Sequence, residues 1–149
     1  MKVKFLWIPM IALISLNVFA AEVEWTDDFD AALKQAKEED KLLLVNFSGS
    51  DWCFWCKKLS NEVFSMDEFK TYAEKKLILF VADFPKAIQQ SDALKTQNQN
   101  LARKFEVRGF PTVFLLDGDG NVVAKTGYRE GGAGNYVKHL ETLKEGKFK

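Results

Sequence analysis

The sequence predicts an α/β domain with a mixed central β-sheet flanked by helices, and three observations predict it. KLLLVNF (41–47) and LILFVADF (77–84) are short, uninterrupted apolar runs, the pattern of strands buried on both faces. Two further short runs, 112–116 and 121–125, flank Asp117-Gly118-Asp119-Gly120, a turn sequence that makes them a hairpin. The stretches between carry apolar residues at helical spacing. Strands alternating with helices, and then a hairpin, give a sheet of mixed direction.

Each element follows in order. A short first strand lies near Val23–Trp25. Asp27 or Asp28 caps a helix over FDAALKQAKEEDK, in which Phe29, Leu33 and Ala36 recur on one face. The 41–47 strand leads through a loop, 48–52, into a helix that starts at about Cys53 and runs on towards Lys76. It breaks near Ser65, where Asp67 and Glu68 suit the first turn of a new segment. After the 77–84 strand, residues 85–100 are polar, rich in Gln and Asn, and lead into a helix ending near Phe105. The hairpin follows. The last helix spans 133–144, with Tyr136, Val137, Leu140 and Leu143 on one face. The order is βαβαβαββα, with no internal repeat, low-complexity tract or linker.

The chain has 149 residues, 47% of them hydrophobic, which suits one domain with a real core. Its first twenty residues read differently. Lys2 and Lys4 precede an apolar stretch from Phe5 to Phe19, and Val18-Phe19-Ala20 suits cleavage after Ala20. We therefore expect a signal peptide at 1–20, a folded domain at 21–149, a periplasmic or secreted location, and no stable membrane insertion after cleavage. An uncleaved anchor is the competing reading, but the run is shorter than the ~20 residues of a spanning helix and contains Pro9. No cysteine stands at the cut to take a lipid, and Lys147-Phe148-Lys149 is not a retention tail. The full chain has 21 basic and 21 acidic residues; without Lys2 and Lys4 the balance is 19 against 21, a net charge of −2. That gives no electrostatic case for nucleic acid or an anionic membrane as partner.

Both cysteines of the chain, Cys53 and Cys56, lie in SGSDWCFWCKKL (48–59). In an exported domain they could be a structural staple, but closing a loop of two intervening residues removes little chain entropy. A structural zinc site needs about four ligands, and the other soft ligand, His139, sits on an amphipathic surface helix. Haem attachment needs a histidine where Lys57 stands. Chemistry remains. Strand-then-helix placement puts Cys53 at a helix N-terminus, where free N–H groups and the helix dipole favour thiolate and bring its pKa below the free value of about 8.5. Lys57 and Lys58 add positive potential and Asp51 opposes it. Cys56, one turn on and more buried, can close a disulfide with Cys53. Cys53 then attacks a substrate sulfur and Cys56 resolves the mixed disulfide.

WCFWCK after a buried strand, with GFPT (109–112) some fifty residues later, resembles the thioredoxin superfamily. SGSDWCFWCKKL followed by EVF is most similar to its exported bacterial members, which include reductases and isomerases. The resemblance covers nearly the whole chain after Ala20 and implies a thioredoxin fold. It implies that Phe110–Pro111 is a cis peptide beside the redox pair. The Phe110 backbone then offers an extended substrate segment a short strand partner, and Trp52 shields one side. The resemblance also implies protein disulfides as substrates, a membrane-embedded electron donor, and no cofactor or metal.

The chain departs from the pattern in three places. Asn46 stands nearest to the buried acid that many thioredoxins carry under the cysteines, so Asp51 or water must assist Cys56. Phe54 and Trp55 replace the usual Gly-Pro and carry no cation, which suggests a reducing potential; an exposed Trp55, with Phe54, is a substrate contact. Residues 85–100 look longer than in a minimal thioredoxin, as a docking loop or a solvated excursion. The alternative to an enzyme is a non-catalytic module of the same fold that carries copper or holds a client through its thiols. DGDGN (117–121) is a turn and not a calcium loop, since Val122 and Tyr128 fall where glycine and glutamate are required. The glycines at 127, 131, 132 and 134 lack the Lys-Ser/Thr of a phosphate loop and form the entry to the last helix.

Overall fold

The computed structural model describes residues 23–146. The expected signal peptide at 1–20 lies outside the described residues. Among those described, the elements run β1 (Trp25–Thr26), α1 (Phe29–Glu38), β2 (Leu42–Ser48), α2 (Phe54–Leu59), a π-helical turn (Ser60–Phe64), α3 (Asp67–Lys76), β3 (Leu77–Asp83), α4 (Asp92–Lys104), β4 (Thr112–Leu116), β5 (Val122–Thr126) and α5 (Gly132–Glu145). The five strands form one sheet in the order β1-β3-β2-β4-β5. β1, β3 and β2 are parallel; β4 runs antiparallel to β2, and β5 to β4. The predicted order and the mixed sheet are both present.

β2 is the centre of the sheet, paired on both sides, and its side chains alternate between two cores. Leu43, Val45 and Phe47 pack with Phe29, Ala32, Ala36, Leu101 and Phe105 from α1, α4 and the residue after α4. Leu44 packs with residues of α2, α3 and α5 on the opposite face. Such a two-sided strand reads as a continuous apolar run because neither face meets water. Asn46 breaks the run on the α2 face.

Local chemistry sets the boundaries. Asp28, and not Asp27, caps α1, accepting a hydrogen bond from the Ala31 N–H at 3.0 Å. Ser91 caps α4 in the same way through the Leu94 N–H. Residues 92–100 therefore belong to α4, and the segment read as a long polar excursion reduces to 84–91. In the hairpin, the Asp117 carboxylate accepts the N–H groups of Asp119 and Asn121 and closes the turn. Gly131 and Gly132 have φ of 106° and 74°, left-handed values that glycine adopts without steric cost, and they turn the chain into α5.

The expected break near Ser65 has a specific form. The Ser65 N–H bonds to the Ser60 carbonyl, five residues back, at 2.9 Å. The wider turn carries Val63 and Phe64 into the core, where Phe64 meets Trp25, Phe69 and Tyr136.

Candidate active site

The parallel strands β2 and β3 end together, Ser48 opposite Asp83. Asp83 ties the emerging loop down: its carboxylate accepts from the Ser50 N–H at 2.9 Å and the Ser50 hydroxyl at 2.5 Å. The loop then turns tightly, with the Cys53 N–H bonded to the Gly49 carbonyl at 2.8 Å. Cys53 is the N-cap of α2, extended in backbone, and its sulfur accepts the Cys56 N–H at 3.2 Å. A disulfide joins Cys53 and Cys56, whose Cα atoms are 5.2 Å apart.

The sequence reading made Cys56 the more buried thiol. Both cysteines are 6% exposed, so Cys53 is as buried as Cys56. The supposed cations are also otherwise engaged. Lys57 Nζ donates to the Asp51 carbonyl at 2.9 Å. Lys58 Nζ lies over the rings of Trp55 and Tyr128, at 5.4 and 5.3 Å, and 3.7 Å from Glu62. Hydrogen bonding to Tyr128, with Glu62 nearby, holds Lys58 charged above the ordinary lysine range.

Asp51 does not serve Cys56. Its carboxylate accepts the backbone N–H groups of Lys86, Ala87 and Ile88, at 2.7 to 3.3 Å. Those bonds, Lys86 first, lower its pKa, so it clamps the 84–91 loop as an anion. Asn46 lies beside Val81 and Val113 in the sheet. It is 8% exposed, and its Oδ1 has no hydrogen-bond partner among the described residues. Asn46 and Cys56 line one cleft of about 480 Å³. His139 is half-buried against Thr126, whose Oγ1 is 2.8 Å from Nε2, and burial lowers its pKa. Among the described residues no three His, Cys, Asp or Glu side chains converge on a metal-sized site.

The aromatic contacts fall on two sides. Trp52 donates Nε1–H to the Phe84 carbonyl at 2.8 Å and meets Phe110 edge-on at 5.9 Å. Phe110 stacks on Phe84 at 5.1 Å, and Lys86 Nζ sits 4.2 Å over the Trp52 ring. The Phe110–Pro111 peptide is cis. Thr112 pairs with Phe47, so Phe110 and Pro111 run beside the end of β2 where the cysteine loop leaves the sheet. On the other side, Phe54 and Trp55 meet edge-on at 5.3 Å and Trp55 leans on Tyr128 at 5.1 Å. The Tyr128 hydroxyl donates to Glu62 at 2.7 Å. Trp52, Phe54, Trp55 and Ile88 are 41%, 67%, 48% and 57% exposed, large apolar side chains left open to solvent on or beside the cysteine loop.

Tyr128, Phe84 and Ile88 were not singled out from the sequence. The hairpin held the signal for Tyr128: β5 returns the chain to the level where β4 began. A Cβ on Gly127 would lie 3.1 Å from the Pro111 carbonyl, and the next residue, Tyr128, reaches Trp55 between the cysteines.

A thioredoxin-like domain family model matches residues 29–144. The disulfide bond reductase DsbH of Chlamydia pneumoniae is 32% identical over 125 residues, 84% of this chain and 75% of that protein. The thioredoxin-related protein DsbJ of the same organism is 33% identical over 113 residues, 76% of this chain and 31% of that longer protein. Among solved structures, that of the DsbH oxidoreductase superposes with a TM-score of 0.80 at 29% identity, covering 97% of this chain and 95% of the other.

Proposed function

Since the chain belongs to the thioredoxin-like domain family and is a thiol–disulfide oxidoreductase, we propose that it works outside the cytosol as a reductase of protein disulfides. Cys53 is the nucleophile and Cys56 the resolving thiol. In each turnover the Cys53 thiolate attacks a substrate disulfide and one substrate thiol leaves. Cys56 then displaces the second, and the protein departs as the Cys53–Cys56 disulfide, two electrons poorer. One observation carries the reading: a closed disulfide at the N-cap of α2, framed by exposed aromatic side chains. The similarity to a disulfide bond reductase favours reduction over isomerisation.

Phe110 and Pro111 wall one side of the docking surface, with the Phe110 backbone open to an extended segment, and Trp52, Phe54 and Trp55 supply apolar contact. An apolar run behind two lysines at 1–20 supports export and a folded domain from residue 21. Among the described residues no helix is long and apolar enough to cross a membrane. A reductase that ends each cycle oxidised, away from cytosolic reductants, needs a donor that moves electrons across the membrane, and we assign that part to a membrane-embedded protein. Insulin reduction with dithiothreitol tests the reading. The wild type should accelerate it and Cys53→Ser should not; equal rates would favour a module that carries copper or holds clients without turnover.

A further inference from the structure

We infer that the cleft behind α2 is the proton exit of the resolving thiol, with Asn46 as its fixed hydrogen-bonding end. The inference rests on the assignment of Cys56 as resolver. Resolution needs a base: the Cys56 thiol must lose its proton before its sulfur can attack Cys53. The charged candidates do not serve: the Asp83 carboxylate, behind Ser50, is spent on the Ser50 N–H and hydroxyl and on the Phe84 N–H. Asp51 is spent on the backbone of 86–88. Lys57 is the one charged side chain among the described residues lining the cleft, it bonds the Asp51 carbonyl, and as a cation it takes no proton.

The cleft offers another route. Asn46 is more than nine-tenths buried, faces the α2 side of the sheet, and leaves Oδ1 without a protein partner. A buried amide oxygen in that state forfeits a hydrogen bond, which a bridging water restores. Ser48, Ser50, Ser60 and Asn61 add neutral polar groups to the lining, against an apolar wall of Trp25, Phe64 and Val81. About 480 Å³ is room for several water molecules, each occupying about 30 Å³ in the liquid. Ser60 and Asn61, in the π-helical turn, are exposed and mark the outer rim. A path therefore leads from a buried thiol, past an uncharged acceptor, to solvent.

The step balances as follows. The Cys56 S–H proton passes to cleft water and on to the solvent. The Cys56 sulfur attacks the Cys53 sulfur, and the bond from Cys53 to the substrate sulfur breaks. The electron pair leaves on the substrate thiolate, which takes a proton from water. Asn46 is a positioning residue: it holds the water and never carries the proton.

Two variants test this. Asn46→Leu keeps the bulk and removes the amide; Ser60→Leu plugs the cleft from its rim and leaves Asn46 in place, should the first variant not fold. The readouts are the Cys56 pKa, followed by ultraviolet thiolate absorbance in a Cys53→Ala background, and single-turnover release of a thiol held on Cys53 in the parent protein. Both variants should raise the Cys56 pKa by about one unit and slow release about tenfold, one unit being a tenfold loss of thiolate. The rate of Cys53 attack should stay within about twofold, and Asn46→Ser, which keeps a hydrogen-bonding group, should restore most of the release rate. A folded Asn46→Leu or Ser60→Leu protein with unchanged Cys56 pKa and release overturns the inference. Failure of the underlying reading looks different: Cys56→Ser would then release the thiol as fast as the wild type.

Discussion

Single residues around the disulfide act by fixing their neighbours. Gly49 is the sharpest case. A Cβ there would meet the Trp52 indole at 2.5 to 2.7 Å, and Trp52, being partly exposed, would swing out. Gly49→Ala should therefore lose the Trp52–Phe84 hydrogen bond and the edge contact with Phe110, lowering stability by about 1 kcal/mol. The denaturation midpoint and a red shift of tryptophan emission would show it; unchanged emission would mean that the indole had not moved. Asp51 acts at a distance through the loop it clamps. Its pKa is lowered chiefly by the Lys86 amide, so its contribution is complete above the unfolded carboxyl value of about 3.9. That contribution is lost as pH falls through the lower folded value. Amide exchange at 86–88 should be slow at neutral pH, speed up selectively in strong acid, and be fast already at pH 7 in Asp51→Asn. Exchange in that variant as slow as in the wild type would show that the loop holds itself.

At the scale of elements, what the sequence made legible divides by physical cause. β2, β3 and the β4–β5 hairpin were readable because burial on both faces and turn chemistry are local signals; β5 differs from its expected span by one residue only. The redox pair was readable for the same reason, as a motif at a strand-to-helix junction. The π-helical turn was not, since nothing in SNEVF distinguishes a wide turn from an α-helix. Its cause is tertiary: Val63 and Phe64 must both reach the core. Asp51 was misjudged because its partners lie 35 to 37 residues on, Lys58 because its anchors, Tyr128 and Glu62, meet only in the folded chain, and Lys57 because the loop turns the Asp51 carbonyl towards it. The π turn also makes a prediction. Phe64 is 6% exposed and touches three other aromatic rings, so Phe64→Ala should cost about 3–5 kcal/mol. A loss under about 1 kcal/mol on chemical denaturation would mean that the turn is not held by its core contacts.

For the whole molecule the decisive quantity is the reduction potential, which compares the stability of the dithiol with that of the disulfide. A protein becomes a strong oxidant when its fold stabilises the reduced form, chiefly through the exposed thiolate. This fold offers Cys53 the N-cap of α2 and the Cys56 N–H, but among the described residues the two lysines that follow the pair, Lys57 and Lys58, are both engaged elsewhere. Lys57 is turned to a carbonyl, Lys58 to two rings and a carboxylate, and Phe54 and Trp55 are uncharged. The buried polar neighbour is a neutral amide and not an acid. Stabilisation of the dithiol is therefore modest, and the potential should fall near the values of about −200 to −270 mV typical of glutaredoxins and thioredoxin. Equilibration with glutathione or dithiothreitol measures it. A value near the −120 mV of a strong oxidant would contradict both the electrostatic argument and the proposed direction of flow. The same argument fixes the sign of an engineered change. Phe54→His places a donor beside the thiolate, stabilises the reduced form, and should move the potential upward by about 30 mV or more, since about 1.4 kcal/mol corresponds to that shift for two electrons. A downward shift would mean that something other than thiolate stabilisation sets the redox poise of this chain.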